Sequence, residues 1–171
     1  MSGERRPSVV DALLFHGSRN PPSALDNRPS LHLAVVACMD ARLDLFSILG
    51  LGNGQVHVIR NAGGLVDDAA LRSLAVSQRM LGTREVLILQ HTECGLHGLD
   101  DHAFAEAIAA DTGHVPEWRA GGFVDLEDSV RAQIRRARMA PELPHRDAIR
   151  GAIVDLTNGG VHEVVEDTPP R

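Results

Sequence analysis

The sequence predicts a single α/β domain built on a mostly parallel sheet. Apolar, strand-like runs alternate with helical patterns, and the runs are nearly continuous in apolar residues, as in buried parallel strands. An Asn-Gly turn near the C-terminus separates two further β-rich runs. We therefore expect an α/β fold with a central mostly parallel sheet, flanking helices and an antiparallel C-terminal edge strand. The length of 171 residues suits one domain with its own core.

The first part of the chain predicts an arm, two strands and a short helix. Residues 1–30 form the arm, which carries a short helix from Ser8 to Phe15, and residues 31–171 form the domain. The predicted elements that follow are a strand over Leu31–Ala37, a helix over Leu43–Leu49 that Gly50 ends, and a strand over Gln55–Arg60.

The remainder predicts three longer helices, a third parallel strand and a hairpin. Leu71, Leu74 and Leu81 recur at helical spacing, and Asp67 suits a positive helix N-terminus. The predicted elements are a helix over Asp67–Leu81, a strand over Glu85–Gln90, helices over Asp100–Ala110 and Leu126–Met139, and a hairpin of Ala148–Leu156 with Val161–Val165.

Composition excludes several classes of protein. The net charge is −6 and no basic block exceeds Arg135-Arg136, so we expect no nucleic-acid partner. No run reaches the roughly 20 apolar residues of a membrane-spanning helix, and the N-terminus lacks the pattern of a secretory signal. We therefore expect a cytoplasmic protein with no membrane partner.

The only two cysteines follow strand-like segments, and a histidine accompanies one of them. Cys38 closes the first predicted strand, while His91 and Cys94 follow the third. In open α/β sheets the functional crevice lies at the carboxyl ends of the strands, so these side chains should meet there. Two thiolates and an imidazole leave one coordination position open, as in catalytic zinc sites. The sequence thus predicts one zinc ion per chain on Cys38, His91 and Cys94.

Asp40 and Arg42 come directly after Cys38 and alternate with it in an extended segment. An arginine can hold a carboxylate through two hydrogen bonds and keep it ionised. Such a carboxylate could orient a hydroxide on the zinc, or it could swing in and occupy the fourth zinc position. A surface ion pair or a helix cap is the simpler alternative.

Asn61-Ala62-Gly63-Gly64 turns the chain from the second strand toward the next helix. Glycines expose backbone N–H groups and permit close approach, so Gly63 and Gly64 could line a substrate or anion pocket. A plain strand-to-helix connection explains the motif equally well.

Three segments together, Cys38–Arg42, Arg60–Gly64 and His91–Gly95, resemble in order and spacing the signature of the β-class carbonic anhydrases, in the compact prokaryotic-type branch. The resemblance implies a zinc-dependent carbonate dehydratase, a lyase in which zinc-bound hydroxide converts carbon dioxide reversibly to bicarbonate and a proton. It implies zinc on Cys38, His91 and Cys94, the pair Asp40 and Arg42 as catalytic residues, and Gly63 and Gly64 in the substrate pocket. It also implies a homodimer or a dimer of dimers, in which the arm clasps the partner.

Three other hypotheses remain at this stage. A hydrolase of CS2 or COS with the same fold could use the same zinc ligands. A non-catalytic, zinc-stabilised regulatory domain would have its fourth position closed by Asp40. A redox protein with a Cys38–Cys94 disulfide would leave His91 unexplained. His97, three residues after Cys94, is a candidate proton carrier for the hydration reaction.

Overall fold

A computed structural model describes residues 9–18, 20, 21 and 23–165. The predicted helix start at Ser8 and the last six residues of the predicted domain lie outside the described residues. Helix α1 spans Val9–Gly17 and has no buried residue. Within the described chain, no helix combines the length and the apolar character needed to cross a membrane. The cytoplasmic location stays a prediction.

Five strands form one sheet, with the spatial order β2-β1-β3-β4-β5. The first four run parallel, and β5 pairs antiparallel with β4 at the edge, which confirms the predicted fold class. The strands are β1 (Leu33–Cys38), β2 (Val56–Asn61), β3 (Glu85–His91), β4 (Ile149–Val154) and β5 (Val161–Val164). The remaining helices are α2 (Leu45–Leu49), α3 (Asp68–Leu81), α4 (Asp101–Thr112) and α5 (Leu126–Met139).

Helices α2 to α5 each begin after an aspartate whose carboxylate accepts a backbone N–H of the first turn. Such a cap satisfies donors that have no partner inside the helix, and it stabilises the helix by about 1 kcal/mol. The four capping residues are Asp44, Asp67, Asp100 and Asp125. This local chemistry explains why the helix starts predicted from the sequence agree with the structure to within two residues.

The core lies on both faces of the sheet. On one face, α3 and α5 pack against the strands, and Leu74, Ile88 and Ile134 are almost fully buried there. On the other face, Val35, Leu89 and their neighbours form a second cluster that extends to the strand ends. Burial on both faces is typical of central parallel strands. The strands β1 and β3 are neighbours in the sheet, with Ala37 opposite Leu89. The carboxyl ends of these two strands are therefore adjacent.

Candidate metal centre

Three potential metal ligands meet where β1 and β3 end. Cys38 is the last residue of β1, His91 is the last residue of β3, and Cys94 lies in the turn that follows. One ligand atom from each of them, two sulfurs and an imidazole nitrogen, lies within 4.8 Å of the other two. All three residues are buried, and both thiols are free. Neighbouring parallel strands thus bring together the residues that the sequence assigned to zinc, and no Cys38–Cys94 disulfide forms.

The His91 ring is oriented by the backbone. Its Nδ1 lies 2.8 Å from the carbonyl oxygen of Thr92, so Nδ1 carries the proton and donates it to that oxygen. The lone pair of Nε2 then faces the two thiols. Nε2 is buried and has no hydrogen-bond partner among the described residues. A buried imine without a partner is destabilising unless a metal ion accepts its lone pair, so the ligand set fits zinc.

The two thiols differ in acidity. Burial raises the pKa of the Cys38 thiol, but the adjacent His91 and the backbone N–H groups of Asp40 and Gly63 outweigh it and lower the pKa to about 7. Burial raises the pKa of Cys94, where Cys38 adds a repulsive contribution. Because metal ligands bind as thiolates, Cys38 is the thiol prepared for ionisation near neutral pH.

Asp40 and Arg42 form an ion pair beside the ligands. The Arg42 side chain donates from Nε to Oδ1 at 3.0 Å and from Nη2 to Oδ2 at 2.8 Å, and its backbone N–H also bonds Oδ1 at 2.9 Å. These hydrogen bonds from Arg42 hold the pKa of Asp40 well below its usual range. Asp40 Oδ2 lies 3.9 Å from His91 Nε2. Asp40 therefore lies beside the ligand set as an ionised carboxylate that Arg42 holds. The catalytic role of the two residues stays a prediction.

Two residues to which the sequence motifs assigned no role hold this segment in place. Arg60 donates from Nε to the carbonyl of Cys38 at 3.0 Å and from Nη2 to that of Asp40 at 2.7 Å. Glu93 accepts from Arg42 through Oε2 and through its backbone oxygen, both at 3.0 Å. Glu93 adopts a left-handed backbone with φ +57°, a conformation that non-glycine residues retain where the surroundings enforce it. Arg60 and Glu93 both lie within the segments that carry the family resemblance, which is the signal that could have given them a role.

The Gly63-Gly64 turn packs on the strand ends instead of facing solvent. Both glycines are buried, with φ +77° and +62°. A Cβ on Gly64 would lie 2.9 Å from the backbone nitrogen of Cys38, so only glycine permits this approach. The turn thus supports the backbone of the candidate metal ligand Cys38. The substrate-binding role of Gly63 and Gly64 stays a prediction.

His97 lies beyond Cys94 in the same loop. Its Nε2 is 2.8 Å from the carbonyl oxygen of Val124, and its ring stacks on Phe123 at a centroid separation of 5.7 Å. Its role as a proton carrier stays a prediction.

Comparison with known proteins identifies close likenesses. The profile of the carbonic anhydrase family matches residues 33–155. The chain is 46% identical over 136 residues to β-carbonic anhydrase 1 of Mycobacterium tuberculosis, which covers 80% of this chain and 83% of that protein. It is 33% identical over 148 residues to a carbon disulfide hydrolase of Acidithiobacillus thiooxidans, which covers 74% of each. Its fold is similar to that of a carbonic anhydrase from Streptococcus mutans, with a TM-score of 0.82 and 36% identity over 91% of this chain and 95% of that one.

Proposed function

Because the chain belongs to the β-class carbonic anhydrase family, we propose that it catalyses the reversible hydration of carbon dioxide to bicarbonate and a proton. It is on this proposal a carbonate dehydratase, a lyase, with one zinc ion held by Cys38, His91 and Cys94. The observation that carries the proposal is that two buried thiols and one buried imidazole lie together, with an ionised carboxylate beside them. That combination offers metal ligands and an orienting group at one point, at the carboxyl end of the sheet.

A zinc ion on these ligands would supply a nucleophile from water near neutral pH. Asp40 would accept a hydrogen bond from the O–H group of that nucleophile and so direct its lone pair toward carbon dioxide. Asp40 Oδ2 lies 3.9 Å from His91 Nε2, the nitrogen that would bind the metal. Arg42 holds both oxygens of Asp40, so the carboxylate stays beside the ligand set. A fixed orienting group lowers the barrier because its position is established before the reaction begins.

The Gly63-Gly64 turn is assigned to the wall of the substrate pocket. Two facts support this assignment: the turn is buried, and it contacts the backbone at Cys38. Carbon dioxide is small and apolar, so a wall without side chains suits it.

We also propose that the functional unit is a homodimer, or a dimer of dimers, in which the arm packs on the partner. Helix α1 supports this proposal because it buries none of its residues and leaves a row of large apolar side chains exposed. Exposed apolar groups of this extent usually mark an interaction surface. They are Val9, Val10, Leu13, Leu14 and Phe15. Replacing Leu13 and Leu14 with glutamate should yield monomers in sedimentation equilibrium, and an unchanged dimer would contradict the assignment.

The similarity to a carbon disulfide hydrolase makes CS2 hydrolysis a second candidate. One preparation with measured zinc content separates the two functions. Stopped-flow hydration of carbon dioxide and release of sulfide from CS2 are measured on it in parallel. Rapid hydration without sulfide release supports the proposal. Sulfide release with slow hydration would favour the second candidate, and bound zinc with neither activity would indicate a non-catalytic domain.

A further inference from the structure

We propose that Gln90 is a positioning residue of the metal centre: its side-chain amide holds the Gly63-Gly64 turn against the backbone of Cys38. The proposal rests on the proposed zinc site and names a residue that orients one of its ligands. Gln90 lies directly before His91 in β3 and is 1% exposed.

The contacts form a short chain from Gln90 to the metal ligand. Gln90 Nε2 donates to the carbonyl oxygen of Gly63 at 2.8 Å. The Gly63 carbonyl lies in the same rigid peptide plane as the Gly64 nitrogen, so this bond fixes the chain where it enters Gly64. Gly64 in turn lies so close to the metal ligand that a Cβ on it would be 2.9 Å from the Cys38 backbone nitrogen. Gln90 therefore controls a contact with Cys38 that it does not itself make.

The environment of Gln90 argues against a role in stability alone. Ile88 on the same face of β3 belongs to the apolar core, as does Val66 just after the turn. Gln90 Oε1 is buried and has no hydrogen-bond partner among the described residues. A buried polar atom without a partner costs about 1–3 kcal/mol, so an apolar side chain of the same size would be the more stable choice. The hydrogen bond from Nε2 to the Gly63 carbonyl therefore explains why an amide side chain occupies this buried position.

Two consequences for the metal follow from this arrangement. The thiolate-to-metal charge-transfer absorption depends on how the sulfur is placed on the metal, so a Cys38 that is no longer held in position should change this absorption. Loss of a group that orients a metal ligand typically lowers metal affinity about 10–100-fold. Neither change is expected from a loss of core packing elsewhere.

Gln90→Met removes the donor with little change in volume, and Gln78→Met is its matched control. Gln78 in α3 is 5% exposed and also bonds backbone, from Nε2 to the carbonyl of His145 at 2.9 Å and from the His145 N–H to Oε1 at 3.0 Å. It holds a loop that contributes no metal ligand. Both variants are made in the full chain. Zinc affinity is measured by competition with a chelator, and absorption spectra are recorded after cobalt substitution.

Gln90→Met is expected to bind zinc about 10-fold more weakly than the parent and to change the position or intensity of the cobalt charge-transfer band. Gln78→Met is expected to lose thermal stability but to keep both metal properties. Parent-like affinity and spectrum in Gln90→Met, or equal shifts in both variants, would overturn the proposal. If Gln90→Met does not fold, Gln90→Leu is tested in its place. A parent protein without thiolate-to-cobalt absorption would contradict the zinc site itself, which is a different result.

Discussion

Replacing Gly64 with alanine should destabilise the protein, because Gly64 has a left-handed backbone and lies against the backbone of two strand ends. The residue has φ +62°, and a Cβ there would lie 2.9 Å from the Cys38 nitrogen, 3.0 Å from the Leu89 oxygen and 3.1 Å from the Ala37 carbonyl carbon. The left-handed conformation costs an alanine about 1–2 kcal/mol. Overpacking against backbone atoms, which cannot rotate away, adds about 1–3 kcal/mol. The expected loss in the free energy of unfolding is therefore about 2–5 kcal/mol.

Gly50→Ala provides the control for the conformational part of this loss. Gly50 has φ +64°, and nothing lies within 4 Å of the position of its Cβ. Both substitutions restrict the unfolded chain equally, so the difference between the free energies of unfolding of the two variants gives the effect of the steric contact alone. Urea unfolding of both variants at equal zinc concentration measures it, together with zinc content after dialysis. Gly64→Ala should be the less stable by about 1–3 kcal/mol and should retain less zinc. Equal stability of the two variants would refute the close approach of this turn to Cys38.

Two further predictions concern single carboxylates. Asp40→Asn should keep zinc but lose carbon dioxide hydration by about 100-fold or more, because the amide cannot replace an ionised acceptor. Stopped-flow rates at equal zinc content check this, and a parent-like rate would exclude the orienting role. Asp101 accepts the N–H groups of Gly122 and Gly121, and those bonds, the Gly122 one foremost, lower its pKa. A lowered pKa stabilises the fold above the unfolded value of about 3.9, and the effect is lost as pH falls through the folded pKa. Asp101→Asn should thus reduce stability by about 1 kcal/mol at pH 7, and the difference from the parent should shrink as the pH falls below the unfolded value. Thermal unfolding of both proteins from neutral to acid pH measures this, and a difference that does not change with pH would be inconsistent with this assignment.

The parts of the fold that local chemistry determines could be predicted from the sequence. Apolar runs such as Leu33–Ala37 specify buried strands, and Asp67 caps a helix whichever partner that helix packs against. The meeting of Cys38 with His91 follows from topology alone, because both end neighbouring parallel strands. The candidate metal ligands could therefore be identified without knowledge of side-chain conformation.

The supporting contacts could not be predicted, since they depend on register and rotamers. Arg42 and Glu93 are 51 positions apart, and their contact requires the left-handed turn at Glu93. The contact of Gln90 with the Gly63 carbonyl requires a turn that folds back over the strand ends. In the sequence, Gln90 reads simply as the last member of an apolar strand.

Zinc titration of carbon dioxide hydration tests the central assignment most directly. Metal-stripped protein is supplied with increasing zinc, and the stopped-flow rate is measured for the parent and for Cys38→Ser. The parent rate should rise in proportion to zinc and level off at one zinc ion per chain, while Cys38→Ser should stay inactive at that zinc concentration. A parent rate independent of zinc, or a Cys38→Ser variant that titrates like the parent, would contradict the assignment of Cys38, His91 and Cys94 as the catalytic metal centre.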